Sequence, residues 1–173
     1  SDSFLEPAEF TPGRRSRIYV IDIASGTSRP VTGPGYDALQ PAWSPDSRWI
    51  AFWGAGQTGD VNLATIAVDA PGEQAQPVAA TADHWTNWNP AWSPDGRYLY
   101  YSSDRAGTMN IWRVRVDQTS GKVLGAPEPV TTPSSYSGWI SFSHDARRLA
   151  YTRRLTYSRL YRQDFDPERA VTV

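Results

Sequence analysis

A twelve-residue pattern that occurs three times is the feature that most constrains the fold of this chain. The three copies read PAWSPDSRWIAF at 41–52, PAWSPDGRYLYY at 90–101 and ISFSHDARRLAY at 140–151. Their aromatic anchors Trp43, Trp92 and Phe142 are 49 and 50 residues apart. A period of this length is typical of solenoids, propellers and tandem arrays, in which one supersecondary unit is repeated.

The segments between these copies also repeat. Each unit continues into a third apolar segment with an aspartate at or next to its end, and the third segments are IYVIDI (18–23), LATIAVD (63–69), IWRVRVD (111–117) and LYRQDFD (160–166). A short polar segment then closes the unit. Four short strands per unit, separated by turns, predict an all-β fold, a β-propeller with four-stranded antiparallel blades.

Counting strands along the chain gives about 3.5 blades. We expect a single β-propeller segment over residues 1–173, divided into a partial blade (1–33) and three further blades (34–82, 83–132 and 133–173). Because the three anchors alternate with small or polar neighbours, we expect Trp43, Trp92 and Phe142 to form the core between adjacent blades.

The turn chemistry supports hairpins and offers a structural role for repeated acids. Asp46, Asp95 and Asp145 fall in successive hairpin turns, where a carboxylate caps nearby backbone N–H groups. Gly96 occupies a position suited to a positive φ. Ser47 and Ala146 replace it in the other copies, so those two turns are expected to differ in detail. Asp104 and Arg105 are interpreted as a turn with a local ion pair.

Composition excludes several kinds of function. The chain has 17 basic and 18 acidic residues, and this balance gives no support for a nucleic-acid partner. It also has no apolar run long enough for membrane insertion. It has no cysteine, two histidines and no Gly-x-Ser-x-Gly sequence. We therefore expect neither an enzyme nor a metal site, and no cofactor.

The repeat at 90–117, PAWSPDGRYLYYSSDRAGTMNIWRVRVD, resembles the repeat of TolB-like propellers, which is also found in prolyl oligopeptidase and tricorn-type propellers. The resemblance covers almost the whole chain and implies a six-bladed propeller in the bacterial periplasm or another extracytoplasmic space. The rest of such a propeller is expected to come from the same longer protein or from self-association. In TolB itself the mouth of the central channel receives a partner protein, so the resemblance implies a protein or peptide partner here.

The candidate site lies in the links that join the last strand of one blade to the first strand of the next. These links combine aromatic rings with small or amide side chains, a composition typical of recognition surfaces. The candidate residues are Tyr36, Asp37, His84, Trp85, Asn87, Trp88, Tyr136 and Trp139. For Trp88 and Trp139, which adjoin first strands, packing at a blade interface is an equally good interpretation.

Two functions remain open from the sequence. The first is a non-enzymatic interaction module that binds a protein, peptide or glycan at the channel mouth. The alternative is an accessory propeller that controls substrate access to a prolyl-oligopeptidase-like hydrolase domain lying elsewhere. A polysaccharide lyase is disfavoured, because two histidines are few for its catalytic constellation.

Overall fold

The structure is a computed structural model, which describes residues 16–55, 61–69, 76–131, 137–154 and 159–160. Within these ranges the regular structure is entirely β, and no helix is long and apolar enough to cross a membrane. The strands form four antiparallel sheets that follow one another along the chain. The all-β propeller architecture expected from the repeat is thus confirmed.

Each sheet pairs its strands in chain order, as a meander. The strands are β1 (Tyr19–Ile21), β2 (Ser28–Pro30), β3 (Asp37–Trp43), β4 (Trp49–Ala55), β5 (Val61–Ala67), β6 (Val78–Ala79), β7 (Asn87–Trp92), β8 (Tyr98–Ser103), β9 (Asn110–Val116), β10 (Val123–Pro129), β11 (Ser137–Phe142) and β12 (Leu149–Arg153). Strands β3–β6 and β7–β10 are complete four-stranded blades. The pairs β1–β2 and β11–β12 are the described parts of two further blades.

Adjacent blades pack face to face, with the first strand of each against its predecessor. Strand β7 contacts β3, β4 and β5, and β11 contacts β7, β8 and β9. The first strands β3, β7 and β11 are therefore neighbours across blades, as expected for the strands around a central channel. The outermost strands, such as β6 and β10, lie at the periphery.

The anchor Trp92 shows how one blade binds the next. Its side chain is 6% exposed in a core shared with Trp53 and Leu63 of the preceding blade. Its Nε1 donates a 3.1 Å hydrogen bond to the carbonyl oxygen of Ala42. In the following repeat, Phe142 packs edge-on against Tyr100, with ring centroids 5.0 Å apart. The predicted inter-blade role is confirmed for these two anchors.

For Trp43 the prediction was wrong, because this side chain is 48% exposed. The first strand that carries each anchor packs onto the first three strands of the preceding blade, as β7 does onto β3, β4 and β5. Of the blade that precedes β3, the structure describes β1 and β2, which correspond to third and fourth strands. The described residues therefore include no first or second strand of that blade for Trp43 to pack against.

The three hairpin turns share one conformation, contrary to the expectation that two would differ. Ser47, Gly96 and Ala146 all have left-handed φ angles, of 59°, 69° and 60°. In each turn a serine hydroxyl donates to the aspartate, as Ser93 does to Asp95 at 2.6 Å. This bond holds the pKa of the Asp95 carboxyl below its usual value. The capping role predicted for the repeated aspartates is confirmed, and it offsets the strain of a left-handed serine or alanine.

Candidate functional site

The link before β7 is held in place by the preceding blade. Asn62 of β5 is the main anchor: its Nδ2 donates to the Asp83 carbonyl oxygen at 2.9 Å. Its Oδ1 accepts from Thr81 Oγ1 at 2.8 Å and from the Asp83 amide at 3.3 Å. The Asn62 side chain thus holds both Thr81, at the start of the link, and Asp83, in its turn.

The same link is bound to its own blade by Arg105, which follows β8. Arg105 Nη2 lies 2.8 Å from Asp83 Oδ2 and donates to Asn87 Oδ1 at 3.3 Å. Its guanidinium also lies 5.2 Å from the ring centroid of Trp112 and 5.7 Å from that of Tyr101. Because the Arg105 side chain is only 13% exposed, this ion pair is screened less than a surface pair.

The local ion pair predicted between Asp104 and Arg105 is therefore wrong. Arg105 pairs with Asp83, 22 residues earlier, whereas Asp104 Oδ1 accepts a 2.9 Å hydrogen bond from the Thr86 amide. Both residues of the β8–β9 turn bind the link. They do so because the end of a second strand and the start of a first strand lie at the same end of an antiparallel blade.

This bracing presents two aromatic rings to solvent. His84 and Trp85 form the tip of the link, with ring centroids 5.0 Å apart and an interplanar angle of 38°. Trp85 is 39% exposed, and its amide donates to Asp83 Oδ1 at 3.2 Å. An exposed aromatic pair on a fixed backbone is a feature of binding surfaces.

The other two candidates of this link lie inside the protein. Asn87 is fully buried and donates through Nδ2 to Asp83 Oδ1 at 2.7 Å. Trp88 is 6% exposed, and its Nε1 lies 3.2 Å from the sulfur of Met109. Both belong to strand β7, where they are buried beneath the link and support it.

The remaining candidates have separate surroundings. Tyr36 and Asp37 are half-buried, and Asp37 Oδ1 accepts a 2.7 Å hydrogen bond from the Ser16 amide. Tyr136 lies outside the described residues. Trp139 is 46% exposed and belongs to β11 rather than to the link before it.

Trp139 is one of three residues that share an unusual backbone position. Gln40, Asn89 and Trp139 each stand three residues before a blade's aromatic anchor, with φ of 50°, 53° and 55°. At each of them the pairing of the first strand with the second shifts, as in a β-bulge. Left-handed φ is uncommon for non-glycine residues, above all for a bulky one such as tryptophan.

The three bulges line one open cavity of about 290 Å³, with walls formed by Gln40, Pro41, Asn89, Pro90, Trp139 and Ile140. None of these side chains is ionisable. Gln40 and Asn89 were not among the residues predicted from the sequence. The available signal was their identical offset from Trp43 and Trp92, since an amide residue precedes proline in both repeats.

The described ranges contain no group of three His, Cys, Asp or Glu side chains placed to hold a metal ion. The candidate site consists of aromatic rings, amide side chains and the ion pair between Arg105 and Asp83.

Four-stranded meanders packed in succession, with their first strands adjacent, define an arc of a β-propeller. The family model for the TolB beta propeller domain matches residues 8–171. The chain belongs to this family.

Individual relatives agree with this assignment. The chain is 34% identical over 127 residues to the uncharacterized protein Atu1656 of Agrobacterium fabrum, a match that covers 73% of this chain and 39% of the relative. It is similar to the putative TolB of Agrobacterium tumefaciens, with a TM-score of 0.57, 27% identity and coverage of 73% and 41%.

The fold is also similar to that of TolB from Acinetobacter baumannii, with a TM-score of 0.62 and 22% identity, covering 83% of this chain and 33% of that one. The chain therefore spans about two fifths or less of the length of these relatives.

Proposed function

We propose that this protein is a non-enzymatic interaction module that binds a protein or peptide through the links at the mouth of the propeller channel. The observation that carries the proposal is the tip of the link before β7, where His84 and Trp85 are exposed on a backbone held by the preceding blade and by the link's own blade. Membership of the TolB propeller family supports a protein partner and a location outside the cytoplasm.

A braced tip favours binding for an energetic reason. A flexible loop loses conformational entropy when it is ordered by a partner, and this loss weakens binding. Here the contacts of Asp83 with Arg105 and Asn62 hold the loop in one conformation before the partner arrives. The ring of Trp85 also has few torsions to restrict, so it contributes contact area at low entropic cost.

The partner is first isolated by affinity capture on the purified chain. The test then measures the affinity between the two purified components. We expect Trp85→Ala to weaken binding by about 2 kcal/mol or more, as for a central aromatic anchor. Its melting temperature should stay close to that of the unmodified chain, because Trp85 lies outside the inter-blade core.

Trp43→Ala is the matched control, since Trp43 is similarly exposed but stands at the opposite end of its first strand. It should leave affinity unchanged. Full affinity in a folded Trp85→Ala variant would place the binding surface elsewhere.

A further inference from the structure

The two half-blades of the described arc are complementary. Strands β1 and β2 correspond to the third and fourth strands of a blade, and β11 and β12 to the first and second. The equivalence of β1 with β9 is visible in the hydrogen bonds, since Ile18 N donates to the Thr32 hydroxyl at 3.0 Å. Ile111 N makes the same bond of 3.0 Å to Thr131. Side by side, the two half-blades make up one four-stranded blade.

The number of blades favours a second copy of this chain as the source of the missing strands. In the described residues each copy has two complete blades and two half-blades, the equivalent of three blades. One copy closed on itself would be a ring of three, whereas propellers have roughly four to eight blades. Two copies joined at both ends make a ring of six, in which each copy completes the half-blades of the other.

The position beside β12 is not taken by the first residue of the predicted third segment, 160–166. In the repeat, Leu160 is equivalent to Leu63 and Ile111, which are buried in their blades at 1% and 0% exposure. Leu160 is fully exposed and belongs to no strand. The rest of this segment lies outside the described residues. Leu160 therefore leaves open the position that Leu63 takes beside β4, and β1 of a second copy fits there.

Exposed apolar side chains on the two half-blades match in register. In the complete blade β7–β10, Tyr101 of the second strand pairs with Trp112 of the third. The corresponding residues of the half-blades are Tyr151 and Tyr19. They are 43% and 55% exposed in a single copy, and Ile21, on the same face as Tyr19, is 60% exposed. Pairing of β12 with β1 of the other copy removes this apolar surface from water, which favours association.

The same closure covers Trp43. Strands β11 and β12 of the other copy supply the first and second strands of the blade that precedes β3. Ala150 and Thr152 are exposed on the face of β12 that points away from its own arc, because they alternate with Leu149, the partner of Phe142. These side chains are small and leave room for an indole ring. Trp43 is then buried as Trp92 is between complete blades.

Charged side chains make little net contribution to the pairing. With this register, Arg148 of one copy stands opposite Asp22 of the other, and these charges attract. Arg153 stands opposite Arg17, and these charges repel. Opposite charges directly across a sheet stabilise and like charges destabilise. The apolar contacts of Tyr19, Ile21 and Trp43 therefore determine the affinity.

We propose that two copies of this chain close a ring of six blades, with two composite blades that each combine β11 and β12 of one copy with β1 and β2 of the other. A head-to-tail interface that closes after two copies leaves no free end for further growth. At high dilution the chain is a single arc, and unfolding measured there reports on an arc in which Trp43 is half exposed. The ring does not depend on the protein-binding function proposed above.

The first experiment is sedimentation velocity of the full chain over a wide range of concentrations. We expect an equilibrium between monomer and dimer with a dissociation constant in the micromolar range. Ile21→Asp should weaken the dimer about tenfold or more, because the carboxylate would be buried in an apolar contact. Its circular dichroism at high dilution should be unchanged, since Ile21 is exposed in the single arc. Ile23→Asp is the matched control, because Ile23 is 95% exposed and lies beyond the end of β1; it should form dimers as the unmodified chain does.

Cross-linking tests the register directly. The chain has no cysteine, so Tyr19→Cys and Tyr151→Cys each introduce a single thiol. Directly opposed residues of antiparallel strands have Cα atoms about 4.5 to 5.5 Å apart, a separation that a disulfide can span. A mixture of the two variants should give a covalent dimer when oxidised by dissolved oxygen. A mixture of Ile23→Cys with Tyr151→Cys should not.

The proposal is overturned if the chain stays monomeric at all concentrations, or if it forms open oligomers larger than a dimer. A dimer that Ile21→Asp leaves as strong as before would also overturn it. Leu160→Asp should leave both the dimer and the melting temperature unchanged; a loss of thermal stability in that variant would mean that the chain's own third segment fills the blade. These results are distinct from the effect of Trp85→Ala on protein binding, which tests the proposed function alone.

Discussion

Trp49 Nε1 donates a 2.8 Å hydrogen bond to the carbonyl oxygen of Gln118, a residue of the next blade that is 69 positions further along the chain. The contact belongs to the turn between β9 and β10, which reaches back onto the preceding blade. In the same turn, the Gly121 carbonyl oxygen accepts from Thr65 Oγ1 at 2.8 Å. The two complete blades are thus joined by specific hydrogen bonds in addition to their apolar core.

The first prediction concerns Gly121, which packs directly against the Trp49 ring. A Cβ atom at this position would lie 2.5 Å from the ring, and φ is +69°. We expect Gly121→Ala to destabilise the fold by about 3 kcal/mol or more, through the clash and the left-handed strain together. Denaturant unfolding of the purified variant gives this value.

Gly107→Ala is the control for strain alone, because φ is +87° there but a Cβ would meet no atom within 4 Å. Its cost should be about 1 to 2 kcal/mol. Equal losses in the two variants would mean that Trp49 does not hold this turn.

The second prediction compares the same repeat position in two blades. Trp92 is buried between complete blades, whereas Trp43 is half exposed. We expect Trp92→Ala to lower the free energy of unfolding by about 3 to 5 kcal/mol and Trp43→Ala by less than about 1 kcal/mol. Urea titrations of both variants measure the difference. A loss below about 1 kcal/mol for Trp92→Ala would show that the inter-blade core is placed in the wrong strand register.

The third prediction is a dependence of stability on acid. The Ser93 hydroxyl, followed by the Arg97 amide and the Arg97 charge, lowers the pKa of Asp95 below its usual value in the folded chain. The stability that the Asp95 carboxylate contributes to the folded chain is therefore fully present above the unfolded pKa of about 3.9. It is lost as the pH falls through the lower pKa of the folded state. The free energy of unfolding should decrease below about pH 4.

Asp95→Asn keeps an oxygen acceptor for the turn but removes its titration. The variant should show a shallower decrease with acid, measured by urea unfolding at a series of pH values. Part of the decrease should remain, because the Ser44 hydroxyl likewise lowers the pKa of Asp46 in the equivalent turn. An unchanged slope in the variant would contradict the proposed role of the Ser93–Asp95 bond.

Local features of this chain were predictable because their causes are local. Alternation of apolar residues, the turn formers and the serine–aspartate pairs recur at a fixed period, and each acts within a few residues. They were sufficient to predict four-stranded antiparallel blades and the capping role of Asp46 and Asp95. Even so, the left-handed conformation of Ser47 and Ala146 was not expected from the residue types alone.

Burial at the blade interfaces depended on more than the repeat. Trp43 and Trp92 occupy equivalent positions in nearly identical sequences, yet one is half exposed and the other is buried. The difference arises from what stands on the other side of each ring. A sequence pattern indicates which face of a strand is apolar, but the neighbouring sheet determines whether that face leaves water.

The amino-acid sequence by itself determined the repeat, the strand order within a blade and the chemistry of the hairpin turns, because these follow from interactions between near neighbours. The tertiary structure alone decided that Arg105 pairs with Asp83 and that Gln40, Asn89 and Trp139 share one cavity wall. These residues are 22 to 99 positions apart, with 99 separating Gln40 from Trp139. Only the packing of successive blades brings them within reach of one another, since a charge or an amide has no preference for a distant partner until the fold places one beside it.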